Sequence, residues 1–62
     1  MLNRNQLYRK LYEIKEGKLI YHYFKLLDWW KTDNIMELRL LDMDTNEEKV
    51  ILLEQLKEYE RI

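Results

Sequence analysis

A chain of 62 residues that contains no cysteine and a single histidine must be held together by side-chain packing alone. Disulfides are excluded, and so is a zinc site built from cysteine and histidine. A single domain spanning residues 1–62 is expected, because so short a chain forms one hydrophobic core. Domains of this size are marginally stable alone, so we expect very close packing or self-association.

The composition is that of a folded protein outside the membrane. Hydrophobic residues make up 47% of the chain and aromatic residues 13%, which is too apolar for a disordered segment. No apolar run approaches the about 18 residues that a membrane-spanning helix needs. The first residues lack the apolar segment of a signal peptide. A cytoplasmic location is therefore expected.

The net charge is only −1, but the charges are unevenly distributed. Residues 1–31 contain seven basic and three acidic groups, whereas residues 32–62 contain four basic and nine acidic groups. Such a separation can steer a charged partner towards one half of the molecule. Attraction between the two halves of the folded chain explains the same pattern.

Residues 3–16 predict an amphipathic helix. Leu7, Leu11 and Ile14 recur at helical spacing, and polar residues fall largely opposite them. Gly17 follows at a position where helices commonly end, because the left-handed conformation costs glycine little.

Residues 18–31 are ambiguous between helix and strand. Tyrosine and isoleucine favour a strand, but on a helical wheel seven apolar side chains fall in one sector. These are Leu19, Ile20, Tyr23, Phe24, Leu26, Leu27 and Trp30. Strict alternation gives no clean strand face, because His22 and Asp28 would share a face with Phe24. A helix is therefore the favoured interpretation of this segment.

The favoured fold class is mostly α, a small bundle of three to four short helices. Thr45 and Glu48 have the spacing of a capping box, which predicts the start of the last helix. Tight turns are expected at Gly17, Thr32–Asp33 and Asp44–Thr45. The predicted core consists of Leu7, Leu11, Ile14, Leu19, Tyr23, Leu27, Trp30, Leu38, Leu41, Leu52, Leu53 and Leu56.

An α+β fold, helix–β-hairpin–helix, is the alternative. Apolar and charged residues alternate over Met36–Leu40, which favours a strand. A hairpin would then join residues 18–31 to residues 35–43 and create chemically sensible cross-strand neighbours. The expected pairs are Lys25–Asp42, Leu27–Leu40, Asp28–Arg39 and Trp29–Leu38.

Two adjacent tryptophans, in the stretch FKLLDWWK, suggest a binding surface. On a helix Trp30 would point into the core, and Trp29 would lie about 100° away among basic groups. Mixtures of aromatic and cationic side chains are enriched at protein interfaces. The predicted partner-binding residues are Lys18, Tyr21, His22, Lys25 and Trp29. Packing of Trp29 beneath another segment is the competing explanation.

No chemical motif predicts an enzyme, a cofactor or a metal site. Serine and cysteine are absent, and His22 has no recognisable catalytic partner in the sequence. The acidic run DMDTNEE resembles a calcium loop only superficially, because Glu47 and Leu53 stand where that loop requires glycine and glutamate. A helix start is the better interpretation of this run.

The sequence therefore predicts a small non-enzymatic protein-interaction module that binds another protein and forms a homodimer or larger homo-oligomer. Frequent lysine, asparagine, isoleucine and tyrosine suggest AT-rich coding, which is common in phages and mobile elements. A regulator or inhibitor that occludes a partner protein fits this background. The alternative is a small DNA-binding regulator that uses basic residues of the N-terminal half. Those residues are Arg4, Arg9, Lys10 and Lys15, although a pI near 5.8 is low for such a role.

Overall fold

The computed structural model describes all 62 residues and consists mainly of strands. One 3₁₀ helix, Leu53–Glu58, is the only helical segment, and no helical segment has the length and hydropathy to cross a bilayer. The strands are β1 (Leu7–Lys15), β2 (Lys18–Thr32), β3 (Ile35–Asp42), β4 (Glu47–Leu52) and β5 (Glu60–Arg61). The predicted helical bundle is therefore wrong, and so are the two helices of the α+β alternative.

The five strands form a single antiparallel sheet in the order β4-β3-β2-β1-β5. Each of the first three strands pairs with the next along the chain, and the 3₁₀ helix then carries the chain from β4 at one edge of the sheet to β5 at the other. β5 then pairs with β1 by placing Arg61 opposite Tyr8 and Glu60 opposite Arg9. The C-terminal segment is thereby fixed beside the first strand.

Two tight turns explain why strands replace the predicted helices. Glu16 and Gly17 join β1 to β2 with φ values of 53° and 75°, and Asp33 and Asn34 join β2 to β3 with φ values of 49° and 67°. Positive φ at both central residues is the hairpin geometry that matches the twist of the flanking strands. The chain reverses at the predicted turn positions, but each turn joins two strands.

The hydrophobic core lies on one face of the sheet, which we call the inner face. Its seven buried residues are Tyr8, Phe24, Leu26, Leu38, Leu40, Ile51 and Tyr59. Leu38 is the only residue of the predicted core in this set. Leu56 is partly buried against the core, whereas Leu7, Leu11 and Ile14 are exposed. The helical periodicity therefore assigned the wrong residues to the core.

A β-bulge in β2 sorts the two tryptophans. Leu27 is an extra residue between Leu26, which lies opposite Leu40, and the pair formed by Asp28 with Arg39. The extra residue shifts the inside–outside alternation of the strand by one position. Trp29 consequently packs against the core, and Trp30 lies on the other face, the outer face. The prediction that Trp30 points inward is wrong.

The same bulge decides which pairs of the hairpin alternative exist. Asp28 lies opposite Arg39, as that alternative predicted, and Trp29 lies opposite its expected partner on β3. On the N-terminal side of the bulge, the pairing of β2 with β3 is shifted by one residue from the predicted hairpin. Lys25 therefore faces Leu41 and not Asp42.

The paired strands β1 and β2 extend beyond the rest of the sheet. β3 pairs with β2 only from Phe24 onwards, and β5 reaches only Tyr8 and Arg9 of β1. Residues 10–23 therefore form a projecting two-stranded segment, which we call the ribbon. The molecule is accordingly elongated, 43 Å by 19 Å by 19 Å. Two-stranded sheets are marginally stable by themselves, so the ribbon is the part of the fold with most to gain from a partner.

Candidate functional site

The outer face of β1 and β2 carries an apolar stripe that no other element of the chain covers. Its members, the outer-face stripe, are Leu7, Leu11, Ile14, Leu19, Tyr21 and Tyr23. Leu11 lies opposite Tyr21, and Ile14 lies opposite Leu19. Both share the outer face because a β-bulge at Tyr12 shifts the alternation of β1 by one position. Ile14 is 64% exposed and Leu19 is 56% exposed. Contiguous apolar surface of this kind marks interaction sites in otherwise polar exteriors.

Arg9 lies within the stripe, and its positive charge is paired with the carboxylate of Glu60. Its guanidinium carbon lies 4.2 Å from the ring centre of Tyr21, and its Nη2 donates to Glu60 Oε1 at 2.9 Å. The hydrogen bond to Glu60 raises the pKa of Arg9 above its ordinary value. Arg9 therefore contributes a flat side chain whose charge is balanced by an ion pair. Lys25, at the end of the stripe, takes part in no ion pair.

A polar pocket of about 470 Å³ lies on the inner face, beyond the core residue Phe24. The ring of Tyr12 stacks on His22 with 4.0 Å between ring centres and 11° between ring planes. The pocket is lined by Lys10, Tyr12, His22, Phe24, Asp42, Thr45, Glu47 and Lys49, and it also reaches the outer-face residue Leu11 next to the β-bulge of β1. Both cations and carboxylates line this pocket, so its charge selects neither an anionic nor a cationic ligand.

His22 and Asp42 form the central hydrogen bond of this pocket. His22 Nδ1 lies 2.9 Å from Asp42 Oδ2, and both side chains are partly buried. Asp42 Oδ1 accepts hydrogen bonds from the backbone N–H groups of Asp44 and Thr45. Burial raises the pKa of Asp42, but the hydrogen bonds from His22 and these N–H groups outweigh it and lower the pKa overall. Asp42 is therefore an anionic anchor for the turn between β3 and β4.

His22, Asp42 and Asp44 each present a possible metal-ligating atom, and these atoms lie within 4.8 Å of one another. Nitrogen and oxygen donors of this type suit zinc and related divalent ions. Each of the three residues already takes part in a hydrogen bond. His22 is bonded to Asp42, and Asp44 Oδ2 accepts from the N–H of Tyr23 at 2.8 Å. These hydrogen bonds tie the turn to β2 and account for the cluster without a metal.

The structure does not bring the five predicted partner-binding residues together. Tyr21 and Lys25 lie on the outer face, whereas His22 and Trp29 lie on the inner face. Lys18 lies at the far end of the ribbon. Neighbouring residues of a strand point to opposite faces, so the patch expected from a helix does not form. Only Tyr21 and Lys25 remain within reach of one binding partner.

The predicted nucleic-acid-binding residues are also dispersed. Arg9 and Lys10 point to opposite faces, and Lys10 Nζ donates to Glu58 Oε1 at 3.2 Å. Arg4 is exposed in the N-terminal turn, and Lys15 lies at the end of the ribbon. Two of the four charges are offset by acidic groups, so the four residues do not form one basic surface.

Sequence reasoning assigned most of the outer-face stripe to the core. Leu11, Ile14 and Leu19 were recognised as apolar, but helical spacing placed them inside. A signal for their true position was present, because Glu16 and Gly17 form a two-residue break between two aromatic-rich runs. Such a break indicates a β-hairpin.

Fold and surface together define a small antiparallel β-protein with one packed face and one open apolar face. No protein-family model, curated protein or solved structure matches the chain. Its function must therefore be inferred from its own surface.

Proposed function

We propose that this chain is a small non-enzymatic interaction module that binds a partner protein through the outer-face stripe and occludes the surface it binds. The observation that carries this proposal is the run of six apolar or aromatic residues on a face without a covering element. Full burial of one leucine or isoleucine side chain contributes about 1.5–3 kcal/mol. A partner that covers several of these side chains therefore gains useful affinity.

The chemistry of the stripe indicates what the partner presents. Tyr21, Tyr23 and Arg9 supply flat side chains of the types that dominate interface energetics. Lys25 adds one unpaired positive charge at the end of the stripe. The complementary surface is apolar, with a carboxylate placed to meet Lys25. Binding of this kind is stoichiometric, as expected for a regulator or an inhibitor.

A pair of matched variants tests the stripe. Leu11 and Leu53 are both 43% exposed, but only Leu11 belongs to the stripe. The tagged wild-type chain, Leu11→Glu and Leu53→Glu are each used to capture proteins from lysate of the source cells. We expect one protein, in molar proportion to the bait, with the wild type and Leu53→Glu but not with Leu11→Glu. Equal recovery with both variants, or no stoichiometric protein with any bait, contradicts the proposal.

The same variants distinguish DNA binding. A labelled DNA duplex is titrated with each chain at low and at high salt. Salt-dependent binding that survives Leu11→Glu but is lost when Arg4 and Lys15 are replaced by glutamine would identify a DNA-binding regulator. We expect no binding of the duplex by any variant.

A further inference from the structure

The end of the ribbon carries charges that are not balanced within the chain. Lys15 lies directly opposite Lys18 in the β1–β2 pairing. Like charges at such positions destabilise a pair of strands. Neither lysine takes part in an ion pair, and Glu13, two residues away on the same face as Lys15, is also unpaired.

The edge of β1 at this end is open. β5 covers β1 only at Tyr8 and Arg9, so residues 10–15 have a strand neighbour on one side only. Residues 13–15 are the regular part of this open edge, between the β-bulge at Tyr12 and the turn at Glu16. The free edge of a strand presents unpaired backbone N–H and C=O groups that can accept a strand from another chain.

We propose that a second copy of this chain pairs antiparallel along this edge, around a two-fold axis at Ile14. In that register Ile14 faces Ile14 of the second copy, Glu13 faces the second copy's Lys15, and Lys15 faces the second copy's Glu13. Two ion pairs form, and each places a carboxylate beside the unbalanced lysines. Glu13 and Lys15 lie on the same face of β1, so the pairing keeps equivalent faces of the two sheets on one side.

The outer face gains an apolar row in the same register. Ile14 lies opposite Leu19 within each chain. Pairing around Ile14 therefore produces a row of four aliphatic side chains, Leu19–Ile14–Ile14–Leu19, across the four strands. Both residues are more than half exposed in the single chain, so their contact across the axis removes apolar surface from water.

The other open edges fit a second copy less well. On β4, the two-fold register that places Lys49 opposite Glu47 also places Glu48 opposite Glu48, which sets like charges at the axis. The open part of β2, residues 18–22, contains no acidic residue. Of these three edges, only that of β1 combines complementary charges with an apolar residue at the axis.

Self-association extends the proposed function, because it joins two outer-face stripes into one larger surface. The two proposals fail separately. Self-association is measured on the pure chain without another protein, and partner capture is measured with the Leu11 and Leu53 variants.

Charge reversal on the β1 edge tests the dimer by sedimentation velocity over a range of concentrations. Glu13→Lys and Lys15→Glu each convert both ion pairs into like-charge pairs, so we expect the dimer Kd to rise at least about tenfold. An equimolar mixture of the two variants should recover the dimer, because one chain then presents only basic groups and the other only acidic groups. The double variant should also recover it. Glu54→Lys, at an exposed and unpaired position, is the control and should keep the wild-type Kd.

Three results would overturn the proposal. The first is a wild-type chain that stays monomeric up to about 1 mM. The second is an unchanged Kd in both single variants. The third is that both the equimolar mixture of the two single variants and the double variant remain monomeric. This comparison separates loss of the ion pairs from loss of the fold, because a single variant that unfolds would not be rescued by restored charge pairing.

Discussion

Trp29 lies directly opposite Leu38 across the β2–β3 pair, and this pairing depends on the single extra residue Leu27. Without the bulge, strict alternation would turn Asp28 towards the core and Trp29 away from it. With the bulge, Asp28 lies on the outer face, where its two oxygens accept from Arg39 Nε and Nη2 at 3.0 Å and 2.7 Å. One inserted residue thus keeps a carboxylate out of the core and places an indole there.

Replacing either tryptophan by alanine should therefore have unequal effects. Trp29→Ala is expected to lower the free energy of unfolding by about 3 kcal/mol, because Trp29 packs against the core. Trp30→Ala should cost about 1 kcal/mol, since Trp30 lies on the outer face and its Nε1 donates to Glu37 at 3.0 Å. Urea denaturation followed by circular dichroism measures both values. A larger loss in Trp30→Ala would mean that the bulge does not set the register.

The positions of the chain reversals could be predicted from the sequence, but the type of element between them could not. Gly17 and the Asp33–Asn34 pair identify turns whether the flanking segments are helices or strands. β2 carries apolar residues on both faces, because the inner face is core and the outer face holds Tyr21 and Tyr23. Such a strand loses the alternation that identifies strands, and its apolar residues happened to fit a helical wheel.

The bulge and the open face explain the remaining errors. The extra residue Leu27 becomes visible only when the residues on both sides are paired with β3. The apolar character of Leu11 and Ile14 was evident from the sequence, but exposure depends on whether another element covers them. No local pattern in a single sequence carries that information.

Gly17 should be sensitive to any side chain that disfavours the left-handed region. Its φ is 75°, and apart from its two chain neighbours no residue has an atom within 4 Å of the position that a Cβ would occupy. Gly17→Ala is therefore expected to lower the free energy of unfolding by about 1 kcal/mol, through backbone strain alone. Gly17→Asn should cost less, because asparagine tolerates this conformation. Equal losses in the two variants, measured by urea denaturation, would show that the turn does not hold this geometry.

The inner and outer faces should differ in their response to truncation. Leu40 has no exposed surface, so Leu40→Ala should cost about 2–5 kcal/mol and could leave a domain of this size unfolded. Leu11→Ala, on the outer face, should change the free energy of unfolding by no more than about 0.5 kcal/mol. Thermal unfolding monitored by circular dichroism compares the two. A comparable loss in Leu11→Ala would show that the outer-face stripe is packed within the chain.

The hydrogen bonds of Asp42 predict a specific dependence of stability on pH. Asp42→Asn should cost about 2 kcal/mol near neutral pH, because it weakens the bonds to His22 and to the turn. The pKa of Asp42 in the folded state is lower than its ordinary value of 3.8. The stabilisation is therefore complete above 3.8 and is lost as the pH falls through the folded-state pKa.

The difference in unfolding free energy between wild type and Asp42→Asn should consequently be smaller at about pH 3 than at neutral pH. Urea denaturation at several pH values measures this difference, and the other carboxylates largely cancel because both chains contain them. Asp33→Asn, at an exposed turn position outside any ion pair, provides the control and should show a difference near zero throughout. A difference at about pH 3 that is as large as the difference at neutral pH would mean that Asp42 is not held as an anion by His22 and the turn.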